Sequence, residues 1–137
     1  MFTHIMVPVD LGHADKLETA LRAAADLARH YGARVTYVGV SSAQPSAVAH
    51  TPKEYAEKLA KFAAMQAEVN EVAEVASHPI IAHDPAVDLD RKLEDAVHEI
   101  GADLVVMGSH IPKRFDFGSH GGRIASHTDV SVMLVRG

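Results

Sequence analysis

The sequence has 137 residues, a formal net charge of −5 and no cysteine. The length is that of one domain, and the absence of cysteine excludes disulfides, thiolate catalysis and thiolate metal sites. The negative net charge argues against a nucleic-acid partner, because a protein neutralises nucleic-acid phosphates with a basic surface. Residues 1–10 lack the pattern of a signal peptide and no apolar run is long enough to span a bilayer, so we expect a cytoplasmic chain with one domain over residues 1–137 and no membrane insertion.

The first part of the chain predicts a strand followed by a helix. Residues 2–9 are an apolar run that ends in a polar, glycine-containing turn, as a buried strand does. From Asp15 onward apolar residues recur at helical spacing, and Asp15 and Glu18 have the spacing of a capping box. Gly32 is typical of a helix end, because glycine adopts the left-handed backbone conformation without penalty.

A second strand and a long helix follow. Residues 34–40 are rich in β-branched and aromatic side chains and predict a strand, and residues 41–50 predict a loop of small and polar residues. Thr51, Pro52 and Glu54 form a helix start with a cap, a first-turn proline and a capping-box acid. The apolar stripe of this helix contains Tyr55, Leu59, Phe62, Val69 and Ala73.

The third strand is predicted at residues 79–83, and Asp84 and Pro85 are assigned to a turn. Asp88 is the expected cap of the next helix, whose buried face ends near Gly101. The last elements follow the same alternation, with a strand at 103–107, a loop at 108–118, a helix at 119–127 and a strand at 130–135.

This alternation of strands and helices predicts the fold class. Residues 103–107 are apolar without alternation, which is typical of an interior strand covered on both faces. Consecutive strand–helix–strand units require parallel pairing and right-handed crossovers. We therefore predict a single three-layer α/β/α domain.

The ends of the predicted strands nominate a ligand site. In open parallel sheets ligands bind outside the carboxyl ends of the strands, where the strand order reverses. The segments at those ends are residues 8–10, residues 40–41 and the residues from Gly108 onward. The Gly118-Ser119 pair begins a helix, so it can hold an anion or simply cap that helix. Asp10 can likewise bond a ribose hydroxyl or close a turn.

Other chemistry-bearing residues give weaker predictions. Lys113, Arg114 and Arg123 can approach a phosphate, although loop cations are usually solvated. His120 and His127 are about 10 Å apart on a helix, too far to chelate one ion, and His110 completes no ligand set, so no metal site is expected. The phosphate-binding loop, the dinucleotide fingerprint and the hydrolase nucleophile elbow are all missing.

Three stretches of the chain together resemble the universal stress protein family. They are HIMVPVD at 4–10, ADLVVMGSH at 102–110 and FGSHGGRIASHTDVSVMLVRG at 117–137. The resemblance implies a five-stranded parallel sheet with the Rossmann-like, adenine nucleotide alpha hydrolase-like fold. The signature of nucleotide-binding members is Gly-x-x-Gly, nine residues, then Gly-Ser or Gly-Thr. Here Ile111 replaces the second glycine and the interval is shorter, while residues 109–112 are similar to the Ser-His-Arg-Pro variant of a nucleotide-binding subgroup.

The resemblance also implies which residues hold an adenine nucleotide. These are Pro8, Val9, Asp10, Val40, Met107, Gly108, Ser109, His110, Gly118, Ser119 and His120. The first four would line the adenine and ribose, and those from His110 onward would face the ribose and phosphates. ATP, ADP and AMP are the candidate ligands, and the shortened interval favours AMP or ADP. The resemblance leaves open whether Mg²⁺ accompanies the nucleotide.

These inferences predict an ATP-binding or AMP-binding stress-response sensor that passes its signal to a regulatory protein or transporter. It is not expected to be an enzyme, because no catalytic base is evident. A dimeric interaction module without nucleotide is one alternative, motivated by Ile111, and a weak ATPase is another. The family resemblance and the apolar residues 130–135 predict a homodimer through the last strand, provided that this strand lies at a sheet edge.

Overall fold

The computed structural model of the protein describes residues 1–109 and 120–137. The elements are β1 His4–Pro8, α1 Glu18–Tyr31, β2 Arg34–Ser42, α2 Pro52–Val69, β3 Val75–Ala82, α3 Pro85–Ile100, β4 Leu104–Ser109, α4 His120–His127 and β5 Ser131–Arg136. A 3₁₀ segment, Leu11–Leu17, connects β1 to α1. No helix in the described ranges is both long and apolar enough to cross a membrane.

The five strands form one parallel sheet in the order β3-β2-β1-β4-β5. β1 is central, with Ile5 paired to Val35 of β2 on one side and to Leu104 of β4 on the other. The strand order therefore reverses between β1 and β4, which is the position where ligands bind in this architecture. The predicted α/β/α fold class is confirmed. β4 is interior, as predicted, and β5 is an edge strand.

Two apolar cores lie on opposite faces of the sheet. Ile5 and Val7 of β1 pack into the first core, which also contains Leu21 of α1 and Leu59 of α2. Met6, between them, packs into the second core. That core also contains residues of α3 and α4, namely Leu93, Ala96, Val97 and Ile124. Because successive side chains of a strand point to opposite faces, an apolar run such as β1 buries both.

Two predicted helix starts are wrong. α1 begins at Glu18 rather than near Asp15, because the 3₁₀ segment occupies the residues before it and Leu17 takes the cap position without a side-chain bond. Asp15 and Glu18 therefore form no capping box. α3 begins at Pro85 rather than after Asp88. Proline is well suited to the first helical position, since the N–H it lacks has no partner within the helix there.

Other local predictions are confirmed. Thr51 caps α2, and its Oγ1 accepts a hydrogen bond from the backbone N–H of Glu54 at 3.1 Å. Gly32 and Gly101 end α1 and α3 with φ of 67° and 71°. The end of the predicted α2 stripe is wrong, because α2 ends at Val69, which is 67% exposed, and Ala73 lies outside the helix.

The third strand is longer than predicted. β3 begins at Val75 because its register with β2 runs from Val35↔Val75 to Ser42↔Ala82. It contains Pro79, which a sheet tolerates at an edge, where a missing N–H breaks no ladder. The β3 edge is therefore interrupted by a proline.

The buried His4 makes stability depend on pH. It is 4% exposed, and its Nε2 lies 2.6 Å from Thr36 Oγ1. Burial lowers the pKa of His4 below its ordinary 6.5, and the charge of Arg34 lowers it further. The Ile100 backbone and the charges of Asp103 and Glu74 act in the opposite direction. The unfolded chain consequently binds this proton more tightly than the folded chain does.

We expect the free energy of unfolding to fall as the pH drops through and below 6.5, because excess proton binding by the unfolded state disfavours folding. Urea unfolding at several pH values between 5 and 8 measures this slope. His4→Gln should make the slope shallower, whereas His83→Gln, at an exposed position, should leave it unchanged. Equal slopes in wild type and His4→Gln would show that another group carries the pH dependence.

Candidate functional site

The carboxyl ends of β1, β2 and β4 meet at a cavity of about 360 Å³, which we call the switch-point cavity. It lies where the strand order reverses, on the side of the sheet covered by α3. Its lining consists of Pro8, Val9, Asp10, Leu17, Val38, Val40, Leu89, Leu93 and Gly108. The structure therefore brings together five of the predicted site residues, from three different strand ends.

A second cavity, of about 380 Å³, lies beside it toward α1, and we call it the α1 cavity. It is lined by Asp10, His13, Lys16, Leu17, Thr19, Ala20, Gly108, Ser109, Val135 and Gly137. Asp10, Leu17 and Gly108 line both cavities. The two spaces are thus neighbours that share one wall.

That shared wall depends on the missing side chain of Gly108. A Cβ at this position would lie 2.7 Å from Cδ2 of Leu17 and 3.6 Å from Cβ of Ala20. Real Cβ atoms essentially never lie within 3.0 Å of another heavy atom, so a side chain at residue 108 would force Leu17 to shift from its position over the backbone of β4.

Asp10 closes the turn that follows β1. Its Oδ1 accepts a hydrogen bond from the Gly12 N–H at 3.0 Å, and its Oδ2 lies 2.9 Å from Nδ1 of His13. The turn-closing alternative predicted for Asp10 is therefore confirmed. Each carboxylate oxygen keeps one further lone-pair site, so this carboxylate can still accept a ligand hydroxyl at the mouth of both cavities.

The apolar wall of the switch-point cavity comes from strand ends and α3. Val9 follows β1, and its backbone N–H donates to the Val38 carbonyl at 2.8 Å, which continues the pairing with β2. Val40 is half-buried, and Leu89 and Leu93 of α3 lie across from it. A lining that is mostly apolar with a few polar groups is typical of small-molecule sites.

Tyr55 connects α2 to this end of the sheet. It is buried against Gly39 of β2. Burial raises its pKa to about 12, and the charge of Asp10 adds to the shift. The Tyr55 phenol therefore stays protonated at neutral pH.

The other predicted residues are placed differently. Met107 is 6% exposed and packs in the second core, beneath the cavity rather than in its lining. Ser109 lines the α1 cavity, and its Oγ accepts a hydrogen bond from Nη1 of Arg136 at 3.1 Å. The predictions for His110, Ile111, Lys113, Arg114, Gly118 and Ser119 fall outside the described residues, as does the side chain of His120.

Two further candidates lie away from the cavities. Arg123 was considered for phosphate, but its Nε lies 3.2 Å from Oε1 of Glu94 and 3.9 Å from Oδ2 of Asp90, both on α3. His127 donates from Nδ1 to the Arg123 carbonyl at 2.8 Å. Within residues 1–109 and 120–137, no group of three or more His, Asp or Glu side chains could hold a metal ion.

Several lining residues were missed by sequence reasoning. Leu89 and Leu93 have the spacing of a helix face, and that periodicity is the same for a core and for a cavity wall. His13, Lys16 and Thr19 follow directly after the first strand. Their closeness to the switch point is a signal that could have identified them.

The whole chain can be compared with known families at this point. The family model of the Universal stress protein family matches residues 1–136. The chain belongs to the universal stress protein family. No curated protein is similar enough in sequence to count as a match.

Solved universal stress protein structures share its fold. One described as a complex with cAMP has a TM-score of 0.73 and 19% identity, and the match covers 98% of this chain and 97% of that one. The Archaeoglobus fulgidus protein in complex with dAMP has a TM-score of 0.66 and 24% identity, with 96% of each chain covered. UspA from Lactobacillus plantarum has a TM-score of 0.69 and 21% identity, covering 98% and 97%.

Proposed function

We propose that this universal stress protein binds an adenine nucleotide, with the base in the switch-point cavity, and acts as a regulatory sensor with little or no hydrolysis. The observation that carries the proposal is the convergence of Val9, Val40 and Gly108 from three strand ends on one apolar cavity. Its volume of about 360 Å³ lies in the range of small-molecule sites. The cAMP and dAMP complexes of structural relatives support the same ligand class.

The proposal is for binding rather than turnover. Phosphoryl transfer requires a positioned attacking water and several charges around the transferred group. Among the described residues that line the two cavities, Asp10 is the only acidic one. Its two carboxylate oxygens are hydrogen-bonded to the Gly12 N–H and to His13 Nδ1. The short interval between Gly108 and Gly118 favours AMP or ADP over ATP.

Titration calorimetry on nucleotide-free protein tests this proposal. We expect saturable binding of AMP and ADP in the micromolar range, weaker binding of ATP with or without Mg²⁺, and much weaker binding of GMP. No binding of any adenine nucleotide at millimolar concentration would contradict it and would favour the interaction module. Release of phosphate from ATP by the purified protein, lost in a cavity variant, would contradict the absence of turnover.

We also propose that the protein forms a homodimer through β5. This strand pairs only with β4 in the described sheet, so its outer backbone groups can pair with a second chain. Met133 in β5 is 42% exposed, and the strand contains no proline. The opposite edge, β3, contains Pro79, which makes β5 the better edge for strand addition.

We expect Met133→Lys to weaken the dimer at least about tenfold, because a lysine on an edge strand opposes pairing. Sedimentation over a concentration series measures the dissociation constant. Ile81→Lys is the matched control, since Ile81 is 46% exposed on the β3 edge, and it should leave the dimer intact. A wild-type protein that stays monomeric at micromolar concentration would refute the proposal.

A further inference from the structure

We propose that the groove between α1 and α2 is a second self-association surface, in which two copies of this chain pack about a two-fold axis. The groove consists of two adjoining hollows of about 590 and 580 Å³. We call the hollow lined by Asp15 and Val69 the Asp15 half, and the hollow lined by Lys61, Leu11 and Val48 the Lys61 half. No described residue of β5 lines either half, so this surface is separate from the β5 edge, and its use does not depend on nucleotide binding.

The centre of the groove is apolar. Phe62 and Met65 of α2 line both hollows and are therefore the residues that the two halves share. Phe62 is buried in the first core, where its ring meets that of Tyr37 edge-on with the centroids 5.6 Å apart. Met65, in contrast, is 50% exposed. An isologous interface places the same patch of two copies together, so Met65 of one copy packs against Met65 of the second, close to the two-fold axis.

The two halves offer complementary apolar surfaces. In the Asp15 half, Val69 is an exposed aliphatic side chain at the end of α2. In the Lys61 half, Leu11 and Val48 are half-buried and pack against the first core. A two-fold rotation brings the Asp15 half of each copy over the Lys61 half of the other, so Val69 covers the hollow that Leu11 and Val48 line. Removing these apolar surfaces from water favours association.

The charges of the two halves are also complementary. Each half contains one cation that is already paired within the chain, in the ion pairs Arg22–Glu18 at 3.8 Å and Lys58–Glu54 at 3.4 Å. Asp15 and Lys61 form no ion pair or hydrogen bond within the described part of the chain. Asp15 of each copy comes to lie in the half that faces Lys61 of the other. The interface therefore contains two equivalent pairs of opposite charge, which fix its orientation.

These features favour a second copy over another occupant. An apolar groove alone accepts many partners, but a second copy necessarily has the apolar centre and the two opposite charges at the spacing that the groove requires. The formal net charge of −5 on each copy opposes their approach. Salt screens that long-range repulsion, whereas the complementary charges meet at short range.

Sedimentation of the Met133→Lys protein, in which β5 pairing is weakened, isolates this association. We expect this parent protein to dimerise reversibly as its concentration is raised from micromolar to millimolar. Adding Asp15→Lys or Lys61→Glu should weaken the dimer at least about tenfold, because either change places like charges together at two positions. Asp15→Lys also reduces the net negative charge, so a weaker dimer in that variant cannot result from overall repulsion.

An equimolar mixture of the two charge-reversed proteins is the sharper test. In a mixed dimer the two reversed sites face each other and the unchanged Asp15 faces the unchanged Lys61, so the mixture should associate as tightly as the parent. Lys53→Glu, at an exposed position of α2 outside both hollows, is the matched control and should leave the dimer intact. A parent that stays monomeric at millimolar concentration, or a mixture no tighter than the separate variants, would overturn the inference.

Cross-linking in the otherwise unchanged chain gives a second readout. Because the sequence contains no cysteine, Met65→Cys introduces a single thiol near the proposed two-fold axis. A short bismaleimide should convert this variant largely to a covalent dimer. Ala60→Cys, exposed on α2 outside both hollows, should be modified without cross-linking. Equal yields of covalent dimer from the two variants would overturn the placement of the interface.

Discussion

Replacing Gly108 with valine is expected to lower adenine nucleotide affinity at least about 100-fold, a loss of roughly 2.7 kcal/mol in binding free energy. Gly108 lines both cavities, so a branched side chain there fills space on each side of the shared wall. Its first atom alone would lie 2.7 Å from Leu17 Cδ2. Calorimetry measures the affinity, and thermal unfolding shows that the variant is folded.

A smaller substitution at the same position separates the steric cause from a general loss of structure. Gly108→Ala is expected to weaken binding about tenfold, which corresponds to roughly 1.4 kcal/mol, because Leu17 must move into the cavities. Adding Leu17→Ala removes the contacted atom and should restore most of the affinity. A Gly108→Val protein that binds AMP as wild type does would show that the ligand lies elsewhere.

Gly39→Ala is expected to reduce the free energy of unfolding by about 1–3 kcal/mol, the usual cost of overpacking a core. A Cβ on Gly39 would lie 2.2 Å from the hydroxyl oxygen of Tyr55 and 3.1 Å from its Cζ. Tyr55 is 5% exposed and belongs to the first core, so the ring cannot swing into solvent without opening that core. Urea unfolding measures the change.

Two variants make this prediction specific. Tyr55→Phe removes the closest atom, so the cost of Gly39→Ala should be smaller in the Tyr55→Phe background. Gly12→Ala is the control, because its Cβ would meet atoms of Asp10 and Val48 at 3.4 and 3.5 Å, which is ordinary contact, and it should change stability by less than about 0.5 kcal/mol. The same cost of Gly39→Ala in both backgrounds would contradict the Tyr55 contact as the cause.

The sheet could be predicted from sequence because its strands are nearly continuous apolar runs between clear helix ends. Thr51, Gly32 and Gly101 act within a few residues of their own positions, so their roles are visible locally. The start of α1 could not be predicted in this way. There Asp10 caps the 3₁₀ segment instead, and the Asp15–Glu18 spacing is not used. The start of β3 was missed because pairing with β2, rather than local composition, sets its length.

The residues of the candidate site were likewise only partly predictable from the sequence. Pro8, Val9, Val40 and Gly108 were predictable because they lie at or next to the carboxyl ends of buried strands, and strand ends at a switch point converge. The contributions of Leu17 and Lys16 depend on the path of the 3₁₀ segment over β4, which is a tertiary arrangement. Leu89 looked like an ordinary core residue, since an apolar position gives no sign that its neighbour is a cavity.

The measurement that tests the central claim most directly is titration of ¹⁵N-labelled, nucleotide-free protein with AMP, followed by amide NMR shifts. Saturable shifts at Val9, Val40 and Gly108, with smaller ones along the 3₁₀ segment, are the result we predict. No saturable shift at millimolar AMP, or shifts confined to residues outside both cavities, would contradict the placement of an adenine nucleotide at the strand-order reversal.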